Sequence, residues 1–147
     1  MAKLEKSILI DAPVEKVSAF LTEPANWPAI WPSMLECQGT DRAPDGSHYT
    51  AVHWVYKMSG MRFEGDSDTV EYTANQRIAT RSCGGIENTV TWTFTPEAGG
   101  TRATFSVEYV VPIPVLGKLA ENAIVKANEQ EMDVVLANLK AALETES

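Results

Sequence analysis

Residues 112–144 read PIPVLGKLAENAIVKANEQEMDVVLANLKAALE, the one long run in which apolar residues recur at spacings of three and four. Pro112 and Pro114 end a strand and set the start of a helix of roughly 28 residues, about 40 Å long at 1.5 Å per residue. A short polar tail, Glu144-Thr-Glu-Ser147, frays beyond it. The apolar face collects Leu116, Ala120, Ala123, Ile124, Ala127, Val134, Val135, Leu139 and Ala142. Its first half is thin, because alanine stands where a filled core would carry leucine. Asn128 and Glu131 project to the same side as Ile124 and Val135. Two packings fit such a face: a helix closing a cavity, or close packing on a sheet with the polar groups at its rim.

Whatever the helix covers must come from upstream, where residues 33–111 alternate almost without interruption. Residues 34–40 form a strand and Ala43-Pro-Asp-Gly46 a turn. Thr50, Val52, Trp54, Tyr56 and Met58 share one face of the next strand, which Ser59-Gly60 turns back. Met61, Phe63, Ser67 and Thr69 then alternate with Arg62, Glu64, Asp66 and Asp68; that charged row marks a solvent face. After a turn at residues 73–76, residues 78–83 form a strand and Gly84-Gly85 turns again. Val90, Trp92 and Phe94 alternate with threonines, and Glu97-Ala-Gly-Gly100 closes the hairpin. Ala103, Phe105, Val107 and Tyr109 alternate with Arg102, Thr104, Ser106 and Glu108.

Ahead of the meander, residues 4–10 read as a first strand. Asp11 is the candidate N-cap of a helix carrying Pro13, Val14, Val17, Phe20 and Leu21, which cannot pass Pro24. Trp27, Ile30 and Trp31 lie between prolines 24, 28 and 32, so this stretch is a short irregular helical turn. Its tryptophans either anchor that turn to the sheet or line the mouth of a pocket. The predicted order is one strand, two short helices, about six antiparallel strands and one long helix, a class α+β layout.

At 147 residues the chain is expected to form one domain, 1–147, with enough material for a core and a pocket. A net charge of −8 argues against nucleic acid and anionic membrane surfaces as partners. No apolar run reaches the length of a membrane span, so stable insertion is not expected. Cys37 and Cys83 are far apart and, with only His48 and His53 available, no metal-ligand spacing appears. Two isolated cysteines without a signal-peptide pattern fit a reducing cytoplasm.

Chemistry is sparse. His48 and His53 lie on opposite faces of one strand and read as rim or exposed residues, and the cysteines as small buried hydrophobes. No glycine-rich phosphate loop occurs, and no cofactor is expected. Two carboxylates are candidates for acid–base work: Glu131 on the helix face, and Glu71 if alternation survives to the end of its strand. Set against that, Glu131 pairs with a strand residue such as Arg81 or reaches solvent, and a bulge turns either group outward. No catalytic set is assignable.

Several local matches are spread along the chain, and the resemblance that they carry covers essentially its whole length. They are Ser7-Ile-Leu-Ile-Asp-Ala-Pro-Val-Glu-Lys-Val17, Asn26-Trp27, Trp92-Thr-Phe-Thr-Pro96 leading into Gly99-Gly-Thr-Arg102, and Tyr109-Val-Val-Pro-Ile-Pro-Val-Leu-Gly117. On these the chain resembles the START-related SRPBCC superfamily, and within it the polyketide cyclase/dehydrase and lipid-transport branch. The resemblance implies a helix-grip fold: a curved antiparallel sheet of about seven strands wrapped around the last helix, with a hydrophobic cavity between them. The expected lining is Trp54, Tyr56, Met58, Phe63, Trp92, Phe94, Phe105 and Tyr109, opposed by Leu116, Ala120, Ala123, Ala127 and Val134. Thr50, Ser67, Thr69, Ser82, Asn88, Asn128 and Glu131 are the polar candidates. Such a site suits a small hydrophobic ligand of lipid, isoprenoid or polyketide type, bound or transported. The alternatives are a cyclase/aromatase enzyme and a ligand-gated module similar to the plant abscisic-acid receptors; no protein partner is identifiable.

Overall fold

The computed structural model describes residues 2–82, 84–115 and 117–145. The chain runs β1 (Ala2–Ile10), α1 (Val14–Thr22), a 3-10 turn (Pro24–Asn26), α2 (Trp27–Ile30), β2 (Met34–Arg42), β3 (Tyr49–Met58), β4 (Met61–Thr73), β5 (Arg77–Ser82), β6 (Asn88–Glu97), β7 (Gly100–Tyr109) and α3 (Lys118–Glu144). The strands form one antiparallel sheet in the order β1-β7-β6-β5-β4-β3-β2. β1 and β2 are consecutive in sequence yet occupy opposite edges, so the short helices carry the chain from one edge to the other. The remaining strands are a meander of hairpins. With α3 lying along the inner face of the curved sheet, this is the helix-grip, α+β arrangement.

Alternation decides which face of each strand is buried. Val52, Trp54, Tyr56 and Met58 point inward, as do Ile78 and Thr80, Trp92 and Phe94, and Ala103, Phe105 and Tyr109. Arg62, Glu64, Asp66 and Asp68 stand on the exposed face of β4. A register shift between Thr69 and Glu71 interrupts the β4–β5 ladder. The extra residue rotates Glu71 out of the inward phase, where Arg77 Nε donates to its Oε1 at 2.6 Å. Glu71 is therefore a surface ion-pair partner and lies outside the cavity.

Three expectations about the helices need correction. Asp11 does not cap α1; the cap position is Pro13, whose missing N–H is no loss at a helix start. The Asp11 backbone N–H instead donates to Glu144 Oε2 at 2.8 Å, tying the β1 end to the end of α3. α3 itself begins at Lys118, after Gly117 at φ 91, a few residues later than the prolines suggested.

The third correction concerns the face α3 turns inward. Met132, Val135, Leu136, Leu139 and Leu143 are buried, with Ile124, Asn128 and Glu131 half-buried. Ala120, Ala123, Ala127 and Val134 are exposed, and Leu116 lies outside the described residues. The stabilisation from burial grows with apolar area, at about 25 cal/mol per Å². Turning in the Met–Leu row therefore removes far more area from water than turning in the alanine row about one residue away. Alanine thinness on α3 consequently says nothing about the space beneath it.

Candidate functional site

Side-chain size, strand by strand, determines where the sheet and α3 fail to fill the space between them. Inward residues along β6 run Asn88, Val90, Trp92, Phe94, and along β7 the matched series is Tyr109, Val107, Phe105, Ala103. At the Phe94 and Ala103 end, α1 and the last turns of α3 complete a solid core with Ile10, Val17, Leu21, Leu139 and Leu143. Trp92 stacks on Phe105 with ring centroids 4.2 Å apart, and Trp31 meets Phe105 edge-on at 5.1 Å. Beyond that aromatic pair the short side chains of Val90 and Val107 face each other across the ladder, and a cavity of about 70 Å³ opens, measured as the room for the centre of a water molecule.

Of the residues expected to line this space, Trp54, Tyr56, Met58, Ser67, Asn88, Tyr109 and Asn128 do so, while Thr50, Thr69 and Ser82 do not. Trp92, Phe94 and Phe105 are buried core and do not reach it, because they fill the closed end. Phe63 is half-buried and also stands clear of it, as do the exposed Ala120, Ala123 and Ala127. Trp27 and Trp31 both anchor and line: their indole N–H groups donate to Leu21 O at 2.9 Å and Tyr56 OH at 3.1 Å. Leu4, Met34, Thr80, Ile86, Val90, Val107 and Met132 complete the wall. Val90, Val107 and Thr80 carried a usable signal, since they share the inward phase of Trp92, Phe105 and Ile78. Leu4 and Met34 are supplied by the two edge strands.

Glu131 is placed behind the wall. Its Oε2 accepts from the Ser33 backbone N–H at 2.9 Å and from Ser33 Oγ at 2.6 Å, and its Oε1 from Tyr56 OH at 3.1 Å. Arg81 is exposed, opposite Asp68 in the β4–β5 register, and is not its partner. Burial, reinforced by the Glu131 charge, pushes the Tyr56 hydroxyl above its ordinary range and keeps it neutral. The group is a hydrogen-bonded staple joining α3, β3 and the start of β2. Nearer the cavity, Asn128 Nδ2 donates to Tyr109 OH at 2.6 Å, bridging helix and sheet.

Trp54 is held from two sides. Its Nε1–H donates to Ser67 Oγ at 2.9 Å, and its ring lies against Gly65 and Gly85. A Cβ on Gly65 would meet the Gly84 carbonyl oxygen and, at 2.7 Å, Trp54 Cζ2. Gly85 also sits at φ +75, so neither position accommodates a side chain without moving the indole.

Both histidines lie away from the cavity lining. His48 stacks on Tyr72 at 4.0 Å, and Cys37 is buried, its thiol pushed up to about 12 by that burial. Cys83 lies outside the described residues. Among the described residues no three His, Cys, Asp or Glu side chains are grouped to hold a metal ion. On the outer face His53 Nδ1 and Nε2 sit 2.8 Å from Asp66 Oδ1 and Glu64 Oε2. The Asp66 hydrogen bond, then that of Glu64, raises its pKa. A raised histidine pKa stabilises the fold below the ordinary histidine value and ceases to do so as pH rises through the shifted one. Relative to His53→Gln, the protein is expected to gain less than about 1 kcal/mol, because both carboxylates are largely exposed. Urea melts of both proteins should differ near pH 6 and converge in mildly alkaline buffer.

Residues 1–144 match the family described as Polyketide cyclase / dehydrase and lipid transport. A START superfamily protein from Mycobacterium smegmatis superposes with a TM-score of 0.83 at 15% identity, covering 99% of each chain. A protein from Thermus thermophilus does so with a TM-score of 0.83 at 20% identity and 99% of each chain. The di-domain ARO/CYC protein BexL of the BE-7585A biosynthetic pathway gives a TM-score of 0.70 at 23% identity, over 98% of this chain and 47% of that one. At such identities the superpositions establish the fold alone. No curated protein matches in sequence. Among the described residues no helix is long and apolar enough to cross a membrane. With its family match over nearly the whole chain, the chain belongs to the polyketide cyclase/dehydrase and lipid-transport family, and its sheet and helix share the fold of the START superfamily protein.

Proposed function

We propose that this chain, acting as one START-like unit, binds and carries a small hydrophobic molecule of lipid, isoprenoid or polyketide type in the cavity between sheet and α3. The observation that carries this reading is the wall itself. Three of the four tryptophans line it with aliphatic and methionine side chains, and its few polar groups are hydroxyls and amides. Support for carriage over chemistry comes from Glu131, the carboxylate an enzyme reading calls on, whose two oxygens are both engaged by protein donors. A buried thiol at Cys37 is consistent with work in the cytoplasm.

Because Trp27, Trp31 and Trp54 face the cavity, occupancy should be visible in intrinsic fluorescence. Titration with the neutral dye Nile red is expected to quench tryptophan emission and saturate at one site. Val107→Trp, which projects an indole into the cavity, should weaken that binding more than about tenfold while the chain stays folded. No saturable binding, together with no co-purifying small molecule in native mass spectrometry, overturns the reading.

A further inference from the structure

The polar members of the cavity wall are Tyr56, Ser67, Thr80, Asn88, Tyr109 and Asn128; among the described residues no Asp, Glu, Lys, Arg or His lines it. Most are committed within the protein. Tyr56 is held by Trp31 and Glu131, Asn88 Nδ2 donates to Ile86 O at 2.7 Å, and Asn128 serves Tyr109. Three hydroxyls retain capacity: Tyr109 accepts from Asn128 but donates to no described residue, and the other two, Ser67 and Thr80, lie on neighbouring strands. Thr80 is 5% exposed, and its side chain has no hydrogen-bond partner among the described residues. Since none of those residues carries a sealed, unpaired polar side-chain atom, the Thr80 oxygen opens onto the cavity. Ser67, 3% exposed, accepts from Trp54 through Oγ but has no acceptor for its own hydroxyl hydrogen among the described residues.

The ladder brings these two together. Ser67 pairs with Ser82 and Thr69 with Thr80, so Ser67 and Thr80 are diagonal neighbours on the same face of β4 and β5. Diagonal residues lie about 7 Å apart. The hydroxyls extend from those backbone positions into the cavity; leaning to within about 5.6 Å of each other they converge on one oxygen at about 2.8 Å each, and further apart they hold two oxygens of one ligand.

We propose that the Ser67–Thr80 hydroxyl pair is a carbonyl-binding subsite, and that the cavity selects neutral oxygen-bearing ligands against their ionised counterparts. This rests on the ligand-binding reading above. An anion entering the cavity loses its hydration and meets no cation, and the Glu131 carboxylate stands one hydrogen bond behind Tyr56. A neutral carbonyl group loses much less hydration and gains two donors that otherwise lack an acceptor.

Three naphthalenes bearing ethyl, acetyl or carboxylate groups at the same position separate these terms when titrated calorimetrically into the full chain near neutral pH. The ketone is expected to bind about tenfold more tightly than the hydrocarbon. The carboxylate should bind at least about a hundredfold more weakly than the ketone. The near-isosteric Thr80→Val should bring ketone and hydrocarbon affinities together, whereas Thr80→Ser should retain the ketone's advantage. A carboxylate that binds as well as the ketone overturns the selection for neutral ligands. A ketone preference that survives Thr80→Val overturns the subsite. If hydrocarbon and ketone bind equally, the subsite falls and the ligand-binding reading stands; if none of the three binds, both fall.

Discussion

Phe105→Ala is expected to lower the stability of the fold by about 3–5 kcal/mol, the range for deleting a fully buried aromatic side chain. Phe105 is 0% exposed, lies flat on Trp92 and receives the edge of Trp31. Its loss removes the transfer free energy of the ring and leaves a void between two rigid indoles that are poorly placed to collapse into it. A urea melt followed by circular dichroism measures the loss. The same variant decides whether Phe105 belongs to the core or to the ligand. A core residue leaves Nile red affinity intact in the folded protein, or improves it as the cavity lengthens towards Trp92. A loss of binding without a loss of stability would return Phe105 to the binding wall.

Glu131→Ala should cost about 2–3 kcal/mol through a different mechanism, the stranding of hydrogen-bond donors. The Ser33 N–H, the Ser33 hydroxyl and the Tyr56 hydroxyl all lose their acceptor, and partial exposure lets water replace only some of it. Glu131→Gln keeps an acceptor for one donor but sets an amide N–H₂ against another, so an intermediate loss is expected. Combined with Tyr56→Phe, the double change should cost less than the sum of the single ones, because both remove the same bond. Thermal melts of the four proteins provide the cycle. Additive losses, or a Glu131→Ala variant as stable as the parent, would remove the staple. Nile red binding should persist in the Glu131 single variants that remain folded, since Glu131 lies behind the wall.

Much of the fold was legible locally. The Val90–Trp92–Phe94 and Phe105–Val107–Tyr109 alternations identify inward faces because side chains of a strand alternate with period two whatever the strand pairs with. Turn residues at 43–46, 59–60 and 97–100 separate the strands for equally local reasons. Glu71 eluded that logic because one inserted residue in β4 reverses the phase of everything after it, and no composition signal marks the bulge. The partner of Glu131 eluded it for another reason. Ser33 lies 98 positions away, in a connection whose course depends on where α2 packs.

The candidate site was legible in part. Trp54, Tyr56, Met58, Ser67, Asn88, Tyr109 and Asn128 follow from phase and type, and the structure sets them around one cavity. Trp92, Phe94 and Phe105 had the same credentials and lie in the closed core. Phase tells which face a residue is on, but not where along the sheet the opposing layer closes.

Element type, chain order, the length of α3 and, outside the β4 bulge, strand phase were thus settled by the sequence itself, through patterns that need only neighbouring residues. Two matters were left to the tertiary structure. One is the rotation of α3, where the Met132, Leu136, Leu139 and Leu143 row turns inward and the alanine row faces water. The other is the position of the cavity, open beside Asn88, Val90 and Thr80 and filled beside Trp92 and Phe105. Both depend on apolar area and volume summed over strands, short helices and α3 together, a sum to which each segment contributes but that none contains.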